Sequence, residues 1–156
     1  MKLSHLLITA IAILIISCKK DGGNGISLKV ESVSSNYVPL NGSLTVVLSF
    51  TDNGGHQIDS VYMKKIRVNQ DTLAPSNMLS DSFYLIPPSY PGNAKGQIQL
   101  DLDYTDYLIY AIYPPQIGNP PQDENDSLIF KFAVKDIANN KSDTVSTGLV
   151  VIQRVN

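Results

Sequence analysis

Residues 128–135 read LIFKFAVK, and this stretch indicates most directly which fold the chain adopts. Apolar side chains occupy every even position, and two of the odd positions are lysines. A period of two places successive side chains on opposite faces of an extended strand, whereas a helix has a period of 3.6. The stretch therefore predicts a half-buried β-strand, with one face towards a hydrophobic core and the other towards water.

The same alternation recurs along the chain. Further strands are predicted over residues 26–33, 44–50, 60–68, 82–86, 98–102, 107–113 and 144–152. Turn-forming residues separate these segments, and such spacing is typical of an antiparallel β-sandwich. No segment has a convincing helical face. The sequence therefore predicts an all-β fold, a single sandwich of about eight strands.

The segment over residues 104–113 is the least regular of these. Its four tyrosines are spaced by three, as on a helix, but the run is short and ends at Pro114 and Pro115. Aromatic and branched residues favour strands. Residues 107–113 are therefore predicted to be a strand.

The N-terminus differs in composition from the rest of the chain. Lys2 precedes an apolar run over residues 6–16, and the small residue Ser17 precedes Cys18. The apolar run is much shorter than the roughly 20 residues that a membrane-spanning helix needs. Residues 1–17 are therefore predicted to be a cleaved signal peptide.

Cys18 is the only cysteine of the chain, and an unpaired thiol is unusual in an oxidising compartment. Residues 15–18, IISC, resemble the lipobox of bacterial lipoproteins. The resemblance implies a diacylglycerol on the Cys18 sulfur, and therefore a membrane partner. Because Lys19 rather than Asp follows, it implies the outer membrane, with the periplasmic and cell-surface faces both open. Residues 18–25 form the lipidated cysteine and a glycine-rich tether like those of Bacteroidota lipoproteins, and residues 26–156 form the domain.

The composition excludes one class of partner. Without residues 1–17, which contain a single lysine, the formal net charge is −3 rather than −2. This charge gives no reason to expect nucleic-acid binding. The one compact basic group, Lys64, Lys65 and Arg67, is predicted to be a solvated strand face.

Two further stretches resemble known families. Residues 50–58, FTDNGGHQI, resemble a degenerate form of the Phe-x-Asp-Gly-Asp-Gly-Asp stretch of small Bacteroidota lipoproteins. Residues 134–142, VKDIANNKS, are similar to the Asp-x-Ala-Gly-Asn-x-Ser turn between the last two strands of bacterial immunoglobulin-like domains. The resemblance implies an immunoglobulin-like sandwich. Asn139 stands where that family prefers glycine, and asparagine tolerates the left-handed backbone that such a turn requires.

Calcium is the one cofactor with candidate ligands, and otherwise no cofactor is expected. In the first motif only Asp52 remains of the acidic repeat, so residues 53–55 are predicted to be a hairpin turn rather than a metal site. Asp101 and Asp103 share one face of a predicted strand, with Asp106 beyond it. All three residues are candidates for calcium, and Asp101 and Asp103 are candidates for acid–base hydrolysis of a glycoside, against the ordinary alternative of solvated neighbours.

Catalytic residues are scarce. His56 is the only histidine after the signal peptide, and a lipidated Cys18 cannot act as a nucleophile. A catalytic triad would depend on this single turn residue, and a zinc site usually has several His or Cys ligands. The sequence therefore predicts a protein that is not an enzyme.

The loop over residues 114–126, PPQIGNPPQDEND, is longer than a hairpin needs, and such loops are often functional or disordered. Asp123, Glu124 and Asp126 lie in or beside it as candidate ligand-binding residues, although solubility alone also accounts for them. Tyr90 and Tyr113 lie in or beside long loops, and exposed tyrosines suit recognition surfaces.

These observations predict a membrane-anchored lipoprotein with a binding or structural role at the cell envelope. The alternatives are a glycan-binding accessory protein at the cell surface and a calcium-stabilised adhesion module. The partner is a protein or a glycan.

Overall fold

The computed structural model describes residues 25–69, 77–88, 92 and 94–155. The predicted signal peptide, Cys18 and Tyr90 lie outside these residues. The strands of the described part are β1 (Ile26–Val33), β2 (Tyr37–Val38), β3 (Ser43–Asp52), β4 (Ile58–Arg67), β5 (Ser82–Leu85), β6 (Lys95–Asp103), β7 (Gln116–Ile117), β8 (Gln122–Asp123), β9 (Asp126–Asp136), β10 (Val145–Ser146) and β11 (Val150–Ile152).

Two sheets form the body of the protein. The first has the order β1-β3-β6 and is antiparallel throughout. The second has the order β2-β11-β9-β4-β5, with β10 also paired to β9, and its single parallel pair joins β2 to β11. Strands β7 and β8 form a separate small hairpin. The predicted all-β sandwich is confirmed, whereas its immunoglobulin-like family stays a prediction.

The strand number exceeds the prediction because short strands have no alternation long enough to be recognised. Strands β2, β7 and β8 are two residues each and were not predicted. The predicted strand over residues 144–152 is divided into β10 and β11. Thr147 lies between them and bonds Phe130 twice, through its own N–H and its side-chain hydroxyl.

The core lies between the two sheets and follows the predicted alternation. In β3, Leu44 and Leu48 are fully buried, and in β9 so are Phe130 and Phe132. Burying one such side chain contributes about 1.5–3 kcal/mol relative to leaving it in water. These strands therefore hold the sandwich together by packing, as a chain without disulfides requires.

The prediction of a strand over residues 107–113 is wrong. The chain instead forms a π-helical turn, Tyr104–Leu108, followed by irregular backbone. Lys65 Nζ donates a hydrogen bond to the carbonyl of Ile109 at 2.7 Å. Arg154 Nη2 donates to the carbonyls of Ala111 at 2.6 Å and Ile112 at 3.2 Å. Because buried side chains satisfy this backbone, it needs no long strand partner. In the described part of the chain, no helix has both the length and the apolar character to cross a bilayer.

The predicted hairpin turn over residues 53–55 is also wrong. Asp52 ends β3 in the first sheet and Ile58 begins β4 in the second, so the loop crosses between sheets. The Asp52 carboxylate accepts hydrogen bonds from the N–H groups of Gly54 at 2.8 Å and His56 at 2.7 Å. These bonds turn the backbone away from β3, which positions β4 in the opposite sheet.

Candidate functional site

A groove of about 490 Å³ lies on the outer face of the second sheet. This volume is within the range of about 300–1,000 Å³ that is usual for small-molecule sites. The groove crosses β4 and β9 and ends against residues 141–144. Its lining consists of Ser60, Tyr62, Tyr84, Ala133, Val134, Lys135, Lys141, Ser142 and Thr144.

Two tyrosines form one wall of the groove. Tyr62 on β4 and Tyr84 on β5 are opposite each other in the strand register, and their ring centroids are 5.3 Å apart at an interplanar angle of 51°. Tyr84 is 76% exposed, so most of this residue is open to a ligand. The Tyr62 hydroxyl contacts Ser82 Oγ at 3.3 Å, which restrains the less exposed ring.

Lysines of like charge are opposite one another on the same face. The register pairs Lys135 with Lys141 and Lys64 with Lys131. Like charges directly opposite on neighbouring strands destabilise a sheet, and a bound anion relieves the repulsion. Lys135 lies 3.0 Å from Asp59, and Lys64 lies 3.5 Å from an aspartate, while Lys131 and Lys141 are exposed. The groove therefore combines an aromatic wall with positive charge.

A second cluster lies where the two sheets meet. Asp52 ends β3 and Asp136 ends β9, and both side chains are fully buried. His56 Nδ1 lies 3.2 Å from Asp136 Oδ2 and 3.6 Å from Asp52 Oδ2. Among the described residues, these three form the one group of three or more metal-ligating side chains whose ligand atoms all lie within 4.8 Å of one another.

The turn after β9 holds the second aspartate of this cluster. Asp136 Oδ1 accepts the N–H of Asn140 at 2.8 Å, and Oδ2 accepts the Asn140 side-chain amide at 2.7 Å. Asn139 has φ of 68°, as the sequence predicted for this position. Burial alone opposes ionisation of Asp136, but the bonds from Asn140 and the nearby His56 imidazole hold the pKa of this carboxyl below its ordinary value.

Asp101, Asp103 and Asp106 lie on the exposed surface of the first sheet and the turn that follows it. Asp101 Oδ1 accepts a hydrogen bond from Thr45 Oγ1 at 2.8 Å, and the Gln99 amide donates to both carboxylate oxygens. The bonds from Gln99 and then Thr45 lower the pKa of Asp101. The predicted calcium site at these three aspartates stays a prediction.

Two of the acidic residues of the long loop, Glu124 and Asp126, lie beside the same basic side chain, Arg67. Asp123 lies on β8, while Glu124 Oε2 and Arg67 Nη2 form an ion pair. Asp126 is only 1% exposed and lies 3.2 Å from Arg154 Nη1. Solubility therefore does not account for Asp126, which begins β9 as part of a buried ionic network. Burial raises the pKa of the Asp126 carboxyl, against the opposing effects of the Tyr110 N–H and Arg154.

The predicted solvated face at residues 64–67 is wrong for two of its three basic residues. Lys65 is 1% exposed, and the Arg67 side chain is 8% exposed. The Lys65 ammonium group lies 5.2 Å from the centroid of the Phe83 ring. Burial lowers the pKa of Lys65 to about 8. The sequence did contain a signal for this burial, because Lys65 lies on the same face of the strand as the buried Val61 and Met63.

The two tyrosines chosen from the loops have different outcomes. Tyr113 is 65% exposed, but it does not line the groove. Tyr90 lies outside the described residues. Sequence reasoning missed Tyr62 and Tyr84, although both lie on predicted strands, at positions that alternate with core residues. The sequence does not indicate that β4 pairs with β5, so it did not predict that the two tyrosines form one wall.

Comparison with known proteins adds little about this site. No protein-family model matches the chain. No curated protein matches it either. Among solved structures, the chain is similar to a β-glucosidase from Listeria innocua, crystallised in complex with glucose, at 13% sequence identity and a TM-score of 0.44. The similarity covers 83% of this chain and 16% of the β-glucosidase chain.

Proposed function

We propose that this chain is a lipid-anchored, non-catalytic binding protein of the bacterial cell envelope, and that its outer-sheet groove binds a glycan. The anchor rests on the lipobox-like stretch that ends at Cys18. The glycan rests on one observation, the exposed tyrosine pair that forms a wall of the groove.

The aromatic wall suits a sugar ring. A tyrosine presents a flat apolar face and a polar hydroxyl, and the apolar faces of sugar rings stack on such surfaces. Tyr84 offers its ring to solvent, and Tyr62 supports it from the neighbouring strand. The groove is on a sheet rather than on a loop, so little conformational entropy is lost when a ligand binds.

The charge of the face favours an acidic glycan. Lys135 and Lys141 are opposite each other in the groove, and because Lys135 already pairs with Asp59, a carboxylate or sulfate group of the ligand would pair chiefly with the exposed Lys141. Ion pairs at an exposed surface contribute little each, typically up to about 1 kcal/mol. The lysines therefore set preference among glycans, while the tyrosines supply most of the affinity.

The groove is tested by calorimetric titration with three polymers: polygalacturonate, which carries carboxylates, chondroitin sulfate, which carries both carboxylates and sulfates, and dextran, which is neutral. We expect binding to an acidic polymer, a loss of at least about tenfold in affinity for Tyr84→Ala, and a smaller loss for Lys141→Ala. Tyr113→Ala is the matched control, because Tyr113 is similarly exposed but outside the groove. Wild-type protein that binds none of the polymers, or equal losses for Tyr84→Ala and Tyr113→Ala, would contradict the groove.

The anchor is tested separately by fractionating cells that express the full chain. We expect the wild-type protein in the outer-membrane fraction, with a diacylglyceryl mass on the peptide that begins at Cys18. Cys18→Ala removes the acceptor sulfur, so this variant should no longer carry lipid. An unmodified Cys18 with residues 1–17 still attached would refute the lipoprotein assignment, whatever the groove binds.

A further inference from the structure

We propose that Asp52, His56 and Asp136 form a binding site for a divalent transition-metal ion of the zinc type. The proposal is independent of the groove, which lies on the outer face of the second sheet. The site brings together the two motifs that the sequence analysis treated separately, one after β3 and one after β9. The ion would join the first sheet to the second at this end of the sandwich.

The separations of the ligand atoms match a tetrahedral ion. Zinc lies about 2.0–2.2 Å from nitrogen and carboxylate oxygen, so two ligands on neighbouring tetrahedral positions are about 3.4 Å apart. His56 Nδ1 lies 3.2 Å from Asp136 Oδ2 and 3.6 Å from Asp52 Oδ2. The third separation, between the two carboxylates, is within 4.8 Å, so the three ligand atoms lie close enough together for one ion.

Electrostatics calls for a positive charge at this point. Both carboxylates are fully buried, and the described residues offer them no Lys or Arg partner. The Nδ1 atom of His56 is itself buried, and among the described residues it has no hydrogen bond of acceptable geometry. Three lone-pair atoms thus converge in a region with little water. A bound cation would offset the negative charge of the two carboxylates.

The ligands are held before any ion arrives. Backbone N–H groups of the loop orient the Asp52 carboxylate, and Asn140 orients Asp136 through both of its oxygens. Gly54 leaves room for the imidazole, because a Cβ at this position would lie 2.5 Å from His56 Nδ1. Such outer contacts fix the orientation of metal ligands and raise affinity.

The ligand types select the metal. One imidazole nitrogen and two carboxylate oxygens suit zinc, whereas calcium prefers six to eight oxygen ligands. The His56 side chain is 35% exposed, whereas its Nδ1 atom and both carboxylates are buried, so the ligand atoms themselves face the interior. The site therefore differs from the calcium site that the acidic repeat of the first motif would imply.

The test is calorimetry and thermal unfolding of the untagged full-length protein in detergent, first treated with EDTA and then titrated with ZnCl2 or CaCl2. We expect zinc, but not calcium, to bind at one equivalent and to raise the melting temperature. His56→Gln should lower zinc affinity by at least about tenfold and abolish the stabilisation. Asp59→Asn, at an exposed carboxylate outside the cluster, should bind zinc like the wild type.

A second variant guards against a general loss of folding. Gly54→Ala retains all three ligands but displaces the imidazole, so it should weaken zinc binding while the apo protein still unfolds cooperatively. Cobalt provides a direct readout, since tetrahedral Co²⁺ with a nitrogen ligand absorbs visible light and His56→Gln should lose that absorption. The proposal fails if wild-type protein binds no zinc, if His56→Gln binds it equally well, or if calcium binds more tightly than zinc.

Discussion

Strand β9 begins and ends with a buried aspartate, and its two ends balance that charge differently. Asp126 lies among Arg67, Arg154 and Lys65, and the nearby carboxylates of Glu124 and Asp81 complete a network of three positive and three negative groups. At the other end, about 33 Å away along the strand, His56, which is 35% exposed, is the one basic side chain that the described residues place beside Asp136 and Asp52. The first end is a structural network with its charges matched, and the second has an excess of negative charge that a cation can satisfy.

The largest effect is expected from removing the carboxylate at the matched end. Asp126→Ala leaves Arg154 buried without its ion pair, and breaking a buried pair in this way typically costs about 3–5 kcal/mol. The free energy of unfolding, measured in urea, should fall by that amount. Asp123→Ala, on the neighbouring hairpin, should change it little. A loss below about 1 kcal/mol for Asp126→Ala would place this network with ordinary surface ion pairs.

Lys65 makes the same end sensitive to alkaline pH. Its pKa is about 8 in the folded protein and 10.5 in the unfolded chain, so between these values the unfolded state binds more protons. The cost of burying the charge is fully present below pH 8 and is relieved as pH rises towards 10.5. Stability of the wild type relative to Lys65→Met should therefore rise by up to about 3 kcal/mol across this range.

Urea unfolding of both proteins from pH 7 to 10 measures this difference, and the variant cancels the contribution of other lysines and tyrosines. A constant difference across the range would show that Lys65 titrates at its ordinary pKa. Its hydrogen bond to Ile109 would then be the whole of its role.

The turn at the Asp136 end depends on backbone conformation. Asn139 has φ of 68°, where a residue with a Cβ is strained by roughly 1–2 kcal/mol unless its side chain offsets the cost. Asn139→Ala should lower the free energy of unfolding by about 1 kcal/mol, while Asn139→Gly should retain or raise it. Equal stability of the two variants in thermal unfolding would show that the side chain of residue 139, not its backbone angle, matters.

The smallest effect concerns acid pH at the same end. The folded-state pKa of Asp136 lies below the ordinary value of 3.8, so its charge contributes stability that is present above pH 3.8 and is lost as pH falls through the folded pKa. Relative to Asp136→Asn, the wild type should lose stability on acidification below about pH 4, by less than the Asn139→Ala effect. If the wild type instead gained stability relative to Asp136→Asn on acidification, the folded-state pKa of Asp136 would have to lie above its ordinary value.

The regular strands were predictable because alternation is a local property. The even positions of β9 enter the core as their sequence indicated, and Leu44 and Leu48 do the same in β3. The left-handed turn at Asn139 was also predictable, since few residue types tolerate that conformation. Lipid attachment at Cys18 is a local inference of the same kind and stays a prediction.

Segments whose backbone is satisfied by distant side chains were not predictable. Residues 107–113 have the composition of a strand, but Lys65, Asp126 and Arg154 supply hydrogen-bond partners that only the folded chain brings there. The candidate groove has the same origin. Tyr62 and Tyr84 form one surface because β4 and β5 are paired with these two residues opposite each other. The sequence alone does not indicate which residues of the two strands are opposite.

By itself the sequence determined where the long regular strands run, which of their faces are apolar and where the chain turns at Asn139, because these depend on residues close together along the chain. Only the tertiary structure decided which charges are buried and with what partners. Asp52 and Asp136 are 84 positions apart, and each looked like an ordinary turn residue. Their cluster exists because the sandwich brings the ends of β3 and β9 together around His56, and the packing of the core holds them there.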